Sequence, residues 1–163
     1  MKQTESMEHT REQAETGPLP PGARLGPSPA AATRSATARV LIRPARPDDL
    51  EEATRLERRV WGGLAATLNE LQRRLFALPE AFLLAELQRP GGLPRIVGLT
   101  SGLLWTRDFP RSYTEYGRMV PSSSHNPRGD VLYLASVGVD EALRGRGIGL
   151  TLLKSTIEVE LST

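Results

Sequence analysis

The segment Val131-Leu132-Tyr133-Leu134-Ala135-Ser136-Val137-Gly138-Val139 is the strongest β-strand candidate in the chain. It runs through a short acidic turn into Arg144-Gly145-Arg146-Gly147-Ile148-Gly149, and then into a segment with Leu153, Ile157 and Leu161 at helical spacing. An apolar strand must bury its flanks in a sheet, and a helix that follows it so closely must pack back onto that sheet. The junction therefore demands a layered fold containing both element types. It also has chemistry of its own. A Gly-rich turn at a helix start presents unpaired backbone N–H groups and the positive end of the helix dipole, which together attract a phosphate or pyrophosphate. Arg144 and Arg146 add positive charge to the same turn.

The rest of the core has to come from the same half of the chain. Residues 1–38 contain no Ile, Val, Phe, Tyr or Trp and hold five of the 13 prolines, a composition that cannot bury a core. Residues 39–163 hold every aromatic residue, and a domain of that size hides roughly two-thirds of its unfolded surface, enough to fold without cross-links. The boundary is testable. Deleting residues 1–38 is expected to leave the melting temperature unchanged in a thermal scan, because the segment lacks apolar surface to offset an ordering cost of about 1–2 kcal/mol per residue. A drop of several degrees would move the boundary.

Within residues 39–163, Val40-Leu41-Ile42 reads as a first strand ended by Arg43 and Pro44. Pro47, Asp48 and Asp49 suit a helix start; Leu50, Ala53, Val60 and Trp61 give its apolar face, and Gly62-Gly63 end it. Thr67 and Glu70 form a capping-box pattern for a second helix carrying Leu68, Leu71, Leu75 and Leu78. Residues 81–87 and 96–105 read as a hairpin about a turn at Arg89-Pro90-Gly91-Gly92, and residues 107–130 as a long loop.

Composition removes several functions. The chain has no cysteine, hence no disulfide, thiolate zinc site or cysteine nucleophile, and a reducing cytoplasm fits. The tail is balanced in charge, leaving 17 basic and 15 acidic residues of the chain's 21 and 19 in the domain, so close to neutrality that nucleic acid is not expected as a partner. No stretch approaches a membrane span, and no secretory leader is evident. Of the two histidines, His9 lies in the tail and only His125 in the domain, so no histidine metal site is expected.

The turn excludes two phosphate ligands by its spacing. A dinucleotide fingerprint starting at Gly145 or Gly147 would need glycine where Leu150 or Leu152 stands, and a Walker A loop would need Gly before the Lys154-Ser155 pair, where Leu153 stands. The hexapeptide Arg144-Gly145-Arg146-Gly147-Ile148-Gly149 instead resembles the Gln/Arg-x-x-Gly-x-Gly/Ala signature of the GNAT superfamily of N-acetyltransferases, preceded at that family's distance by Val137-Gly138-Val139. The order of elements from residue 40 onward is similar too.

The resemblance implies an α+β, three-layer α/β/α fold with a mixed, mostly antiparallel central sheet. It implies acetyl-CoA as co-substrate, with its pyrophosphate on Arg144, Gly145, Arg146, Gly147, Ile148 and Gly149 and its pantetheine arm paired with the backbone of Val137, Gly138 and Val139. It also implies a bulge near Val137 whose N–H would stabilise an oxyanion. The acceptor would be a primary amine on a small molecule or protein. The segment His125 to Asp130 looks like the acceptor-side lip of some branches. Glu115, His125 and Tyr133 are the nearest polar candidates for proton transfer, each with a plain alternative: the first two as solvated loop residues, Tyr133 as packing on the sheet.

A full domain of that family continues with further strands and a helix after this point, so the sequence is expected to be a C-terminally truncated version of the fold. That expectation carries a second functional reading, a non-catalytic CoA-binding or protein-interaction module, and a possible homodimer through an exposed sheet edge.

Overall fold

The computed structural model describes residues 37–161, so the tail as far as residue 36 lies outside the described residues. Four strands, β1 (Arg39–Pro44), β2 (Leu83–Gln88), β3 (Arg95–Trp105) and β4 (Val131–Val139), form one sheet in the order β1-β2-β3-β4. Every pairing is antiparallel. Helices α1 (Leu50–Trp61) and α2 (Leu68–Ala77) connect β1 to β2, a short α3 (Tyr113–Arg118) lies between β3 and β4, and α4 (Ile148–Leu161) follows β4.

Alternation along the strands divides the apolar residues between two layers. Leu84, Ile96 and Leu99 meet Leu50, Ala53, Leu56, Leu71 and Leu75 of α1 and α2 on one face. Leu83, Ala85, Leu87 and Val97 meet Ile148 and Leu152 of α4 on the other. The α+β, three-layer arrangement is thus present. A bulge interrupts the alternation, because β3 inserts Val97 between the partners of Ala85 and Glu86, so Val97 and Gly98 both face the α4 layer while Ile96 and Leu99, three apart, both face α1 and α2.

The helices begin where local chemistry sets them. Thr67 accepts the Glu70 N–H at the head of α2, and two acidic residues, Glu51 and Glu52, sit in the first turn of α1. Helix α4 differs from the sequence expectation. Its buried stripe is Ile148, Leu152 and Thr156, while Ile157 is exposed, so the helix is rotated from the Leu153–Ile157–Leu161 face. The turn that precedes it fixes Ile148 against the sheet, and residues four and eight further on follow inward.

Residues 107–130 also contain more order than a loop reading allows. Ser112 accepts the Glu115 N–H and caps α3, and residues Pro121–Ser124 form a 3-10 turn. The end of this segment lies along β3 beyond the point where β2 stops: Asn126 N–H donates to the Leu104 carbonyl, and the Leu104 N–H donates to His125 Nδ1 at 3.2 Å. Gly129 permits the approach, since a Cβ there would stand 2.5 Å from the Trp105 carbonyl oxygen.

Candidate functional site

The Gly-rich turn leaves a row of backbone amides open at the start of α4. Gly145 and Gly147 have φ of 75° and 78°, the left-handed region glycine adopts without strain, and a Cβ at either would meet nothing within 4 Å. Leu143 and Arg144 donate their N–H groups back to Asp140 and Glu141, and Thr151 donates to Gly147 as α4 takes over. Between them, the amides of Gly145 to Leu150 have no acceptor among the described residues. Arg144 Nε donates to the Val139 carbonyl at 3.3 Å, tying its guanidinium to the end of β4, while Arg146 lines a groove with Val40, Ile42 and Thr151. Asp140 Oδ1 accepts the Ala142 N–H, and its carboxylate lies 3.5 Å from Arg95, which holds the turn onto β3.

Among the described strands β4 pairs only with β3, so no strand covers the other flank of Val137-Gly138-Val139, where Arg144 takes the Val139 carbonyl at the entry to the turn. The irregularity in β4 falls earlier than expected. Ser136 pairs with Ser101 and Leu134 with Gly102, leaving Ala135, not Val137, as the extra residue. A bulge lets neighbouring residues share a face. Ala135 and Ser136 accordingly both line one cavity of about 210 Å³ under α1, together with Glu57, Trp61, Leu64, Ala66 and Arg74.

Sequence reasoning missed this cavity's polar residues. Glu57 of α1 is only 2% exposed, and its carboxylate accepts the Ser136 hydroxyl proton. Burial pushes the Glu57 carboxyl above the ordinary range, opposed by the Ser136 hydrogen bond and by the positive charge of Arg74. Arg74 is itself held by Glu70 at 2.9 Å and donates to Ser101 Oγ at 3.3 Å. Glu70 also accepts the N–H and hydroxyl of Ser122, so the network links α2, β3 and the segment before β4.

The three polar residues singled out from sequence lie elsewhere. Glu115 accepts the Arg111 N–H at 2.7 Å and sits at the head of α3 beside an open surface depression. His125 Nδ1 accepts from Leu104, so its neutral ring carries its proton on Nε2, and burial lowers its pKa. Tyr133 stacks on Trp105 with centroids 3.6 Å apart and its hydroxyl 3.2 Å from that of Tyr116; burial pushes its pKa up to about 12. It shares the α1/α2 side of the sheet with Arg74, whose charge reaches it. None of the three lines the Glu57 cavity. Among the described residues no cluster of His, Asp or Glu is arranged for a metal ion, and no helix is long and apolar enough to cross a membrane.

No family model and no curated protein matches the sequence. Solved structures do. GphF GNAT-like decarboxylase, in complex with isobutyryl-CoA, is 30% identical over 73% of this chain and 58% of that one, with a TM-score of 0.59. The loading GNATL domain of CurA from Lyngbya majuscula is 22% identical over 74% and 57%, with a TM-score of 0.58. The NatC complex bound to Gag peptide and CoA shares the fold at 14% identity, with a TM-score of 0.54 over 76% of this chain. The chain spans less than two thirds of the length of the first two. The chain thus shares the GNAT fold, with its Gly-rich turn at the end of β4.

Proposed function

We propose that the chain binds an acyl-CoA and transfers its acyl group, an acetyl group in the simplest case, to a primary amine. The observation that carries this reading is the row of acceptor-free amides from Gly145 to Leu150 at the start of α4, shaped by two left-handed glycines. A pyrophosphate fits such a row, and Arg144 and Arg146 supply the countercharge. The open flank of Val137, Gly138 and Val139 would pair with the amide groups of the pantetheine arm, directing the thioester along β4 toward Ala135 and Ser136. The bulge there leaves a backbone N–H outside the β3 ladder, the kind of fixed donor that stabilises a tetrahedral oxyanion.

A second reading has its own support. The 30% identical structure is a GNAT-like decarboxylase with isobutyryl-CoA bound, so loss of CO2 from a carboxyacyl-CoA is the competing reaction at the same site. One set of experiments separates them. Calorimetric titration of the full chain with CoA and acetyl-CoA should give saturable binding; absence of any binding overturns both readings. Mass spectrometry after incubation with acetyl-CoA and a panel of amines should show acylated amine and free CoA. A carboxyacyl-CoA that loses CO2 without amine acylation would favour the second reading, and binding without either product would favour a non-catalytic CoA-binding module.

A further inference from the structure

We infer that Glu57 is the catalytic base of the transfer, taking the proton of the incoming amine in the cavity beside the β4 bulge. The inference rests on the acyl-transfer reading above and adds the group that reading leaves unassigned. A buried carboxylate is costly unless it is paired, and a hydrophobic residue at this inward position of α1 would pack without that cost. Glu57 is nevertheless 2% exposed, and its hydrogen bonds among the described residues come to one, from the Ser136 hydroxyl. The cation that lines the cavity, Arg74, is paired with Glu70 and donates to Ser101 rather than to Glu57. The carboxyl thus retains accepting capacity, and it lines the same cavity as the bulged Ala135, where the thioester carbonyl is directed. Ser136 lies next to Ala135 in sequence and so fixes the carboxyl relative to the bulge.

The proton and electron count closes on this arrangement. An ammonium R–NH3+ gives one proton to the Glu57 carboxylate, and the nitrogen lone pair so freed forms a C–N bond to the thioester carbonyl carbon. The C–S bond then breaks with its electron pair on sulfur, and the nitrogen's second surplus proton passes to that sulfur to give the free thiol. Glu57 returns its proton to water, leaving amide, CoA thiol and one proton released. Nothing is oxidised or reduced.

The charged and titratable groups around Glu57 are Arg74 and Glu70 of α2 and, further along β4 on the same side, Tyr133. Arg74 and Ser136 favour the charged carboxylate, whereas burial disfavours it, which places its titration nearer neutrality than that of an exposed glutamate.

The test uses the full chain. Glu57→Gln, nearly isosteric, is expected to keep acetyl-CoA affinity and to lower kcat by about 100-fold or more, the range of a lost general base. In the free parent protein, carbon-13 NMR of the Glu57 carboxyl should titrate above the ordinary glutamate range, and the acidic limb of kcat/KM should follow it. Ser136→Ala removes the proton donor but keeps the carboxyl, so both the NMR titration and the acidic limb should move to higher pH; this arm decides the matter if Glu57→Gln does not fold. Near-parental turnover by Glu57→Gln, or a pH limb unmoved by Ser136→Ala, overturns the assignment and leaves the acyl-transfer reading intact. A parent chain that binds acyl-CoA but acylates no amine overturns both.

Discussion

Replacing Gly147 by aspartate is expected to abolish CoA binding, with an affinity loss of at least about 100-fold by calorimetric titration. Two effects act together. The φ of 78° at Gly147 disfavours any side chain by about 1–2 kcal/mol, and the new carboxylate would stand over the free amides, where the proposed function puts the pyrophosphate. The first effect alone changes stability, the second changes binding, and Gly147→Ala separates them. A Cβ at this position meets nothing within 4 Å, so both variants should fold, with a melting temperature lowered by only a few degrees. Alanine should retain measurable affinity and aspartate should not. Parental affinity in folded Gly147→Asp would show that the ligand phosphate sits elsewhere.

The turn was legible because its chemistry is local. Glycines at 145, 147 and 149 after a strand and before a helix specify their backbone roles within a few residues, and the capped start of α2 at Thr67 was readable for the same reason. Ser112 and Glu115 offered the same signal for α3, obscured by the many turn-forming residues around them. The Glu57 cavity was not legible. Along α1 that residue stands among Glu51, Glu52, Arg55, Arg58 and Arg59, indistinguishable in sequence from a solvated charge. Its hydrogen-bond partner is Ser136, 79 residues away, beside a bulge at Ala135 that shifts β4 relative to β3. A strand's alternation cannot reveal such a bulge, since one inserted residue reverses which side chains face each layer. The placement of α4 failed for a related reason: Leu153 and Ile157 satisfy helical spacing as well as Leu152 and Thr156 do, and only contact with the sheet chooses between them.

Arg43→Met should destabilise the domain strongly. The Arg43 guanidinium makes a two-point contact with Asp49, Nη1 to Oδ2 at 2.7 Å and Nη2 to Oδ1 at 2.8 Å, while its Nε donates to Glu86 Oε2 at 2.7 Å. These side chains are between 12% and 19% exposed, so solvent screens the pairs only partly. Methionine keeps most of the apolar stem but leaves the Asp49 and Glu86 carboxylates near each other without the guanidinium that bridges them. Breaking such a buried cluster costs roughly 3 kcal/mol, or on the order of 10 °C in melting temperature for a domain of this size. The pH dependence identifies the cause. Arg43 holds the Asp49 carboxyl below its usual range, and Gln88 together with Arg43 does the same for Glu86. Because both folded-state pKa values are depressed, the stabilisation is complete above the ordinary carboxylate range of about 4 and is lost as pH falls through the depressed values. The gap between parent and variant in urea denaturation should therefore be widest near neutrality and shrink in acid; a constant gap would assign the loss to packing. Asp49 also accepts the Arg46 N–H just before α1 begins, so the same cluster anchors the helix that carries Glu57. If Glu57 acts as assigned, Arg43→Met should lower kcat at temperatures where the variant is still folded, with a smaller effect on acetyl-CoA affinity, because the glycines of the turn lie between β4 and α4 and the α1 ion pair near them, Arg59 to Asp140 at 3.8 Å, is long and half exposed.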